Sequence, residues 1–353
     1  MRRAEFAMPH EQALAFLAAQ PVVRLAGATS DGEPILRTLN TVVHDGWLAF
    51  HSAPKGEKTG LLGTKVVASA DETVAVIPST FLGPERACDA TTLYQSVQAH
   101  GVLEAIESPD AKAAILQALM EKLQPGGGYA PIDADHPRYR SAVKGLLIAG
   151  IRLTRVDGKA KLAQNRTADE RVRLLDALWL RGAPGDLRAI ELIRSANPGT
   201  PPPAILTAPA GTTMHCHLEP GDAREAAALL AGAYWNDRFT LADLELAHTG
   251  CQAWVGARDD EGRLIATARA VSDGGKYAWV YDVFVTEARR GIGLGKALMR
   301  AMLAHPAVRP ARRVMLGTRD AQGLYAGFGF VPTGSLPRRP YVSTEAVLVR
   351  RDD

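Results

Sequence analysis

The chain has 353 residues, 46% of them hydrophobic and 22% charged, a composition that fits an ordinary globular protein large enough for two or three domains. Its 41 Lys and Arg against 38 Asp and Glu leave a net charge of only +3, so no nucleic-acid partner is expected. No apolar run approaches the roughly 18 residues of a membrane span, and three distant cysteines, Cys88, Cys216 and Cys251, give neither a disulfide framework nor zinc spacing.

The first element is a short amphipathic helix, Pro9 to Ala18, ending before Pro21. Glu5, His10 and Glu11 interrupt the apolar core that a signal peptide needs, and the cytoplasm is the expected compartment. The pattern then turns to strands: Val22–Ala28, a Ser30-Asp31-Gly32 turn, Pro34–His44, an Asp45-Gly46 hairpin, and Trp47–Ser52. Further strands are expected at Val66–Ala70, Thr73–Ile77, Gln95–Glu104 and Ala142–Val156, with a helix at Pro109–Leu123. Such a meander predicts a small antiparallel barrel.

At His51-Ser52-Ala53-Pro54-Lys55-Gly56-Glu57-Lys58 a strand end runs into a Gly-x-Lys turn. Together with Arg37-Thr38-Leu39-Asn40-Thr41, Tyr94-Gln95-Ser96-Val97 and Lys161-Leu162-Ala163-Gln164-Asn165-Arg166, this segment resembles the FMN-binding split barrels of the pyridoxamine-5′-phosphate-oxidase-like family. The resemblance implies that Lys58 and Arg37 bind the FMN phosphate and that Thr38, His51 and Ser52 contact the phosphate or ring edge. It also implies a homodimer through the barrel, with Gln95 or Ser96 reaching a flavin across the interface. The Arg-x-His-Asp-Arg ending of true oxidases is missing, which argues against pyridoxamine phosphate oxidation. Gln164, Asn165 and Arg166 belong either to the family's site or to a helix N-cap with solvated neighbours before Thr167–Arg181.

Asn197-Pro198-Gly199-Thr200-Pro201-Pro202-Pro203, running on to Pro209 and Gly211, sustains neither helix nor ladder and reads as a linker. Beyond it, His215-Cys216-His217 is too isolated to predict a metal site, and none is expected.

The strand-like Trp279–Val285 delivers Arg289-Arg290-Gly291-Ile292-Gly293-Leu294-Gly295-Lys296 into a helix-like run, Ala297–Leu303. Glycines that let backbone N–H groups converge at a helix N-terminus make an anion cradle. A Walker A loop fails, because Arg290 stands five before Gly295 and Ala297 follows Lys296; a dinucleotide fingerprint fails on the Gly291, Gly293, Gly295 spacing. Arg290-x-x-Gly293-x-Gly295 resembles the pyrophosphate loop of the GNAT N-acetyltransferases, and Leu324-Tyr325-Ala326-Gly327-Phe328-Gly329-Phe330 resembles a second segment of that family. Between Ala288 and Arg319 stand eight Lys or Arg and no acidic residue, which suits a polyphosphate ligand.

The resemblance implies acetyl-CoA held by Val283, Phe284 and Val285 and by Arg290, Gly291, Ile292, Gly293, Leu294, Gly295 and Lys296. Tyr325 matches the family's general acid; its alternative is packing beside Phe328 and Phe330. The base is Asp282, Glu245 or a water chain, and Asp282 is equally placed for a structural role. Trp235, Arg238 and Phe239 are the candidates for binding a small-molecule amine, while Trp254 and Trp279 are expected in the core.

The expected fold is thus α+β in two domains: an antiparallel split β-barrel with flanking helices over 1–196, a linker at 197–213, and a GNAT mixed α/β sheet over 214–353. The expected function is N-acetyl transfer to a small amine, with a flavin-binding barrel that is either an oxidoreductase or a non-catalytic FMN- or haem-binding sensor.

Overall fold

The computed structural model describes residues 4–83 and 87–336. They form two compact units, residues 1–165 and 166–353.

The first unit is built on two antiparallel sheets. Its strands are β1 (Val23–Ala28), β2 (Pro34–Leu39), β3 (Val42–His44), β4 (Trp47–Ser52), β5 (Lys65–Ile77), β6 (Thr91–Val102), β7 (Glu104–Ala105), β8 (Leu147–Arg152) and β9 (Arg155–Lys161). One sheet runs β2-β1-β5-β6-β9, the other β3-β4-β8-β7. The Asp45-Gly46 hairpin forms as expected, with φ of 45° and 72° at its two central residues, the left-handed pair that matches strand twist. Helix α1 (His10–Ala19) packs on β9, where Gly158 leaves room: a Cβ there would stand 2.7 Å from that of Ala13. Helix α2 (Pro109–Leu123) is capped by Ser108 and closes a core of Val42, Ala49, Ile106, Ile115, Leu119 and Ile148.

The sequence expectation of one strand over 142–156 is corrected. Residues Arg140–Gly145 form a short helix, α3, and the remainder splits into β8 and β9 around a turn. The two strands expected at 66–70 and 73–77 are one continuous β5, in which Asp71 and Glu72 pair in register with Ser96 and Gln95 and the register against β6 shifts between Thr73 and Ala75.

In the second unit, α4 (Ala168–Arg181) and α5 (Asp186–Ala196) precede β10 (Thr212–His215), α6 (Pro220–Leu230), α7 (Leu241–Thr249), β11 (Ala253–Asp259), β12 (Leu264–Ser272), β13 (Tyr277–Val285), α8 (Leu294–Ala304), β14 (Arg313–Met315) and α9 (Gln322–Ala326). The sheet order is β10-β11-β12-β13-β14, antiparallel except for the parallel pair β13–β14. Helix α8 buries Leu294, Leu298, Met299 and Met302 against β11–β13, about 1.5–3 kcal/mol for each large side chain.

The Pro-rich segment 197–213 lies inside this second unit. Leu206 is fully buried and Arg300 donates to the Thr207 carbonyl at 2.6 Å. Helix α4 ends at Gly182 (φ 62°), where an added Cβ would collide with Pro306 at 2.2 Å. Arg309 donates to the Trp179 carbonyl at 3.2 Å, and Trp179 meets His305 edge-on at 5.9 Å.

Candidate functional site

Strands β13 and β14 pair over only three residues, Tyr277↔Arg313 to Trp279↔Met315. Beyond that point a cavity of about 1100 Å³ lies between Val280–Val285 on one side and Leu316–Ala321 on the other. Strand β13 keeps its ladder to β12 out to Val285↔Ala266, and among the described residues no strand pairs with the edge of residues 280–285 that faces away from β12.

The ladder between β12 and β13 is broken by a bulge, because Thr267 faces Phe284 while Arg269 faces Tyr281. Asp282 sits in this bulge at φ 53°, left-handed backbone that a non-glycine residue occupies at a cost of about 1–3 kcal/mol. Its carboxylate is 4% exposed; Arg269 Nε donates to Oδ2 at 2.6 Å and Trp235 Nε1 to Oδ1 at 3.0 Å. The bulge therefore holds a buried ion pair that also fixes an aromatic side chain from the loop after α6.

Of the residues expected at this site, Asp282, Val283, Phe284, Val285, Arg290, Tyr325, Trp235 and Phe239 line the one cavity. Gly291–Lys296, next in the chain, form the turn and start of α8 and are not on its wall. Gly291 and Gly293 take φ of 81° and 94°, and Gly293 is the helix N-cap with no side chain to satisfy the first N–H groups. A Cβ at Gly295 would stand 3.9 Å from Val285 and 3.8 Å from Leu324, so the helix start lies between the end of β13 and α9. Arg290 Nε donates to the Val285 carbonyl at 3.1 Å. Arg238 is exposed and is not on the cavity wall.

Tyr325 is 7% exposed, with its ring 6.0 Å from Phe330. Burial, reinforced by Tyr234 and Asp320, raises its pKa above the ordinary tyrosine value. It therefore stays a donor throughout the neutral range.

Trp254 is in the core as expected, 3% exposed, with Nε1 donating to Thr267 Oγ1 at 3.0 Å. Trp279 is not: it is 38% exposed and lines the cavity. Alternation along β13 buries Ala278, Val280 and Asp282 and turns Tyr277, Trp279 and Tyr281 outward, a pattern masked in the sequence because the outward residues are aromatic. Arg319, to which the sequence did not point, places its guanidinium 3.5 Å over the Tyr234 ring.

In the first unit, Arg37 forms an ion pair with Glu57, which ties β2 to the loop carrying Lys58. His51 and Ser52 end β4 and lead into that same loop; His51 is exposed and Ser52 is 8% exposed. Thr38 is exposed and follows Arg37 on β2, so the two side chains point to opposite faces. Gln95 is 4% exposed and shares the inner face of β6 with Leu93 and Val97, whereas Ser96 lies on the other face. Gln164 accepts from Leu162 N at 2.7 Å and donates to Ala160 O at 2.8 Å, and Arg166 pairs with Glu170 at 3.5 Å. The helix N-cap is Thr167, whose capping box with Glu170 is complete.

Residues 9–160 match the family described as pyridoxamine 5′-phosphate oxidase, and residues 222–330 match the acetyltransferase (GNAT) family. No curated protein matches the chain. Among solved structures, a protein assigned to the GNAT family from Xanthomonas campestris pv. campestris is 37% identical, over 36% of this chain and 93% of its own, with a TM-score of 0.31. A protein assigned to 5-nitroimidazole antibiotic resistance in Bacteroides thetaiotaomicron is 16% identical, over 43% of this chain and 85% of its own, with a TM-score of 0.35. The FAD and haem binding protein of Mycobacterium smegmatis is 18% identical, over 43% of this chain and 71% of its own, with a TM-score of 0.37. Among the described residues no helix is long and apolar enough to cross a membrane. The chain is an α+β protein in which residues 9–160, built on antiparallel sheets, match the pyridoxamine 5′-phosphate oxidase family model and are followed by an acyltransferase domain that belongs to the GNAT family.

Proposed function

We propose that the second unit transfers an acetyl group from acetyl-CoA to a small amine in the cavity beside β13. The observation that carries this reading is the parting of β13 and β14 after three pairs, which leaves backbone groups of residues 280–285 facing a cavity that Tyr325 also lines. The pantetheine arm pairs with that strand edge as an added strand would, and the pyrophosphate lies at Arg290 and the N–H groups of Gly291–Lys296. The neutral amine nitrogen attacks the thioester carbonyl, the C–S bond breaks, the Tyr325 hydroxyl donates its proton to the departing sulfur, and the proton released by the nitrogen passes through water to restore Tyr325. Asp282, already engaged by Arg269 and Trp235, positions these groups and is a poor base. The test is calorimetric titration with acetyl-CoA, followed by CoA-thiol release with an amine panel. Binding lost in Arg290→Ala supports the reading, and an absence of acetyl-CoA binding to the intact chain sinks it.

We further propose that the first unit binds FMN and forms a homodimer through the barrel. Arg37, Lys58, His51 and Ser52 gather around one loop and supply two cations and two hydrogen-bonding groups for a phosphate. Phosphate entry requires Arg37 to exchange Glu57 for the ligand. Thr38 and Ser96, on the outer faces of their strands, meet the flavin edge, and the inward Gln95 supports Ser96. Bound FMN supplies hydride and single-electron chemistry. An absorbance spectrum of the purified protein tests this: flavin bands abolished in Lys58→Ala are expected, and FMN-reconstituted protein without them refutes it.

A further inference from the structure

The acceptor side of the cavity has two properties that together narrow the amine it takes. The first is aromatic density. Of the chain's five Trp, eight Tyr and eight Phe, seven line this one cavity. Trp279 and Tyr281 stack nearly parallel, at 20° and 5.9 Å between ring centroids, with the Arg269 guanidinium 4.9 Å from the centre of the Tyr281 ring. Tyr234 and Trp235, perpendicular to each other at 88° and 4.8 Å, come from the loop after α6, with the 55% exposed Phe239 beyond them. Exposed rings of this kind hold a planar guest by stacking and edge contact.

The second property is the absence of a free carboxylate or base. Among the described residues of the wall the only acids are Asp282 and Asp320. Asp282 is bound to Arg269 at 2.6 Å, and Asp320 lies 3.6 Å from Arg319. None of the described residues that line the cavity is Glu, His, Lys or Cys. A polycation such as a polyamine or an aminoglycoside needs unpaired carboxylates to replace its hydration, and here it meets arginine-paired ones. An alkylammonium acceptor also needs a base to shed its proton before attack.

From these two properties, resting on the acetyl-transfer reading above, we infer that the acceptor is a flat aromatic amine, unprotonated at neutral pH and carrying no second positive charge. Such an amine enters with its lone pair free. Its nitrogen bonds to the acetyl carbon as the C–S bond breaks; the Tyr325 hydroxyl protonates the sulfur, and the proton shed by the nitrogen passes to water and restores Tyr325. The ring stacks beside the exposed Trp279 of the Trp279–Tyr281 pair, and Trp235, lining the same cavity, is held in place by its bond to Asp282.

The experiment uses the full chain, acetyl-CoA and four probes: an aniline, a 2-aminonaphthalene, spermidine and kanamycin. The aromatic amines are expected to exceed the polycations by at least about tenfold in kcat/KM, with a rate nearly flat between about pH 6.5 and 9. Trp279→Ala and Tyr281→Leu are each expected to raise KM for the aromatic amine about tenfold while the calorimetric acetyl-CoA affinity stays within about twofold. Acetyl-CoA binding accompanied by faster transfer to spermidine or kanamycin, or by no transfer to either aromatic amine, overturns the inference and leaves the donor site standing. Failure to bind acetyl-CoA removes the acetyl-transfer reading itself.

Discussion

Arg269 and Asp282 lie on neighbouring strands at the single point where their ladder is broken, and the 2.6 Å bond between them is the most enclosed ion pair at the cavity. Side-chain exposures of 14% and 4% mean that neither charge is well solvated alone. Removing one partner strands the other, at a cost of about 3–5 kcal/mol, whereas an apolar pair of similar volume comes close to neutral. Asp282→Leu and Arg269→Met are therefore each expected to lower stability in urea unfolding by several kcal/mol, and the double variant to recover more than half of the larger single loss. Simple additivity of the two losses would show that the pair is not coupled.

Tyr325→Phe keeps the ring against Phe330 and removes only the hydroxyl. If that hydroxyl protonates the departing sulfur, kcat falls about 10²-fold with acetyl-CoA affinity unchanged. Because burial raises the tyrosine pKa, the alkaline fall in wild-type kcat is expected above about pH 10 and is absent from the variant. A variant with wild-type kcat would assign Tyr325 to packing alone.

His305 is 2% exposed, and burial, helped by Arg309, pushes its pKa down to about 4 from an ordinary 6.5. The folded state favours the neutral ring, so His305 has no effect on stability above pH 6.5, where both states are neutral. As pH falls from 6.5 towards 4 the unfolded chain takes up a proton that the folded one refuses, and up to about 3 kcal/mol is lost. His305 Nδ1 accepts from Ala307 N at 3.2 Å, a contact that an asparagine can reproduce. His305→Asn should flatten the dependence of urea midpoint on pH in that window; an unchanged slope would place the titration elsewhere.

The acetyltransferase family match begins at residue 222, yet α4 and α5 close over its core through Trp179–His305, Gly182–Pro306 and Glu191, whose carboxylate bonds Cys216 N at 2.8 Å. A fragment starting at residue 166 is expected to unfold cooperatively, and one starting at residue 214 to be less stable by several kcal/mol, since it lacks the buried Ile190, Ile193 and Leu206 and exposes the apolar surface they cover. Equal urea midpoints for the two fragments would show that the helices are dispensable.

Much of this architecture was legible from local chemistry. The Asp45-Gly46 turn and the glycine turn before α8 are each fixed by residues adjacent in sequence, and each was read correctly in place, whereas the N-cap of α4 is Thr167, one residue beyond the expected Gln164–Arg166 stretch. Trp279 was misread because burial on a strand depends on which face is covered, and an aromatic face over a cavity has the composition of a core. The bulge at Asp282 was invisible for a related reason: a register shift arises from the neighbouring strand, and nothing in Tyr281-Asp282-Val283 signals it. The Pro-rich segment was read as a linker from backbone constraints that are real, but Leu206 and the Arg300–Thr207 bond fasten it to the second unit.

Strand β13 meets its cavity in two ways, through the unpaired main-chain edge of residues 280–285 and through the projecting rings of Trp279 and Tyr281. Main-chain recognition is indifferent to side-chain identity, so the grip on a common donor survives almost any substitution that preserves the strand. The rings are under no such restraint. A change at 279 or 281 would retune what the domain modifies without disturbing what it uses to modify it, and so gives this fold a short route to new acceptors.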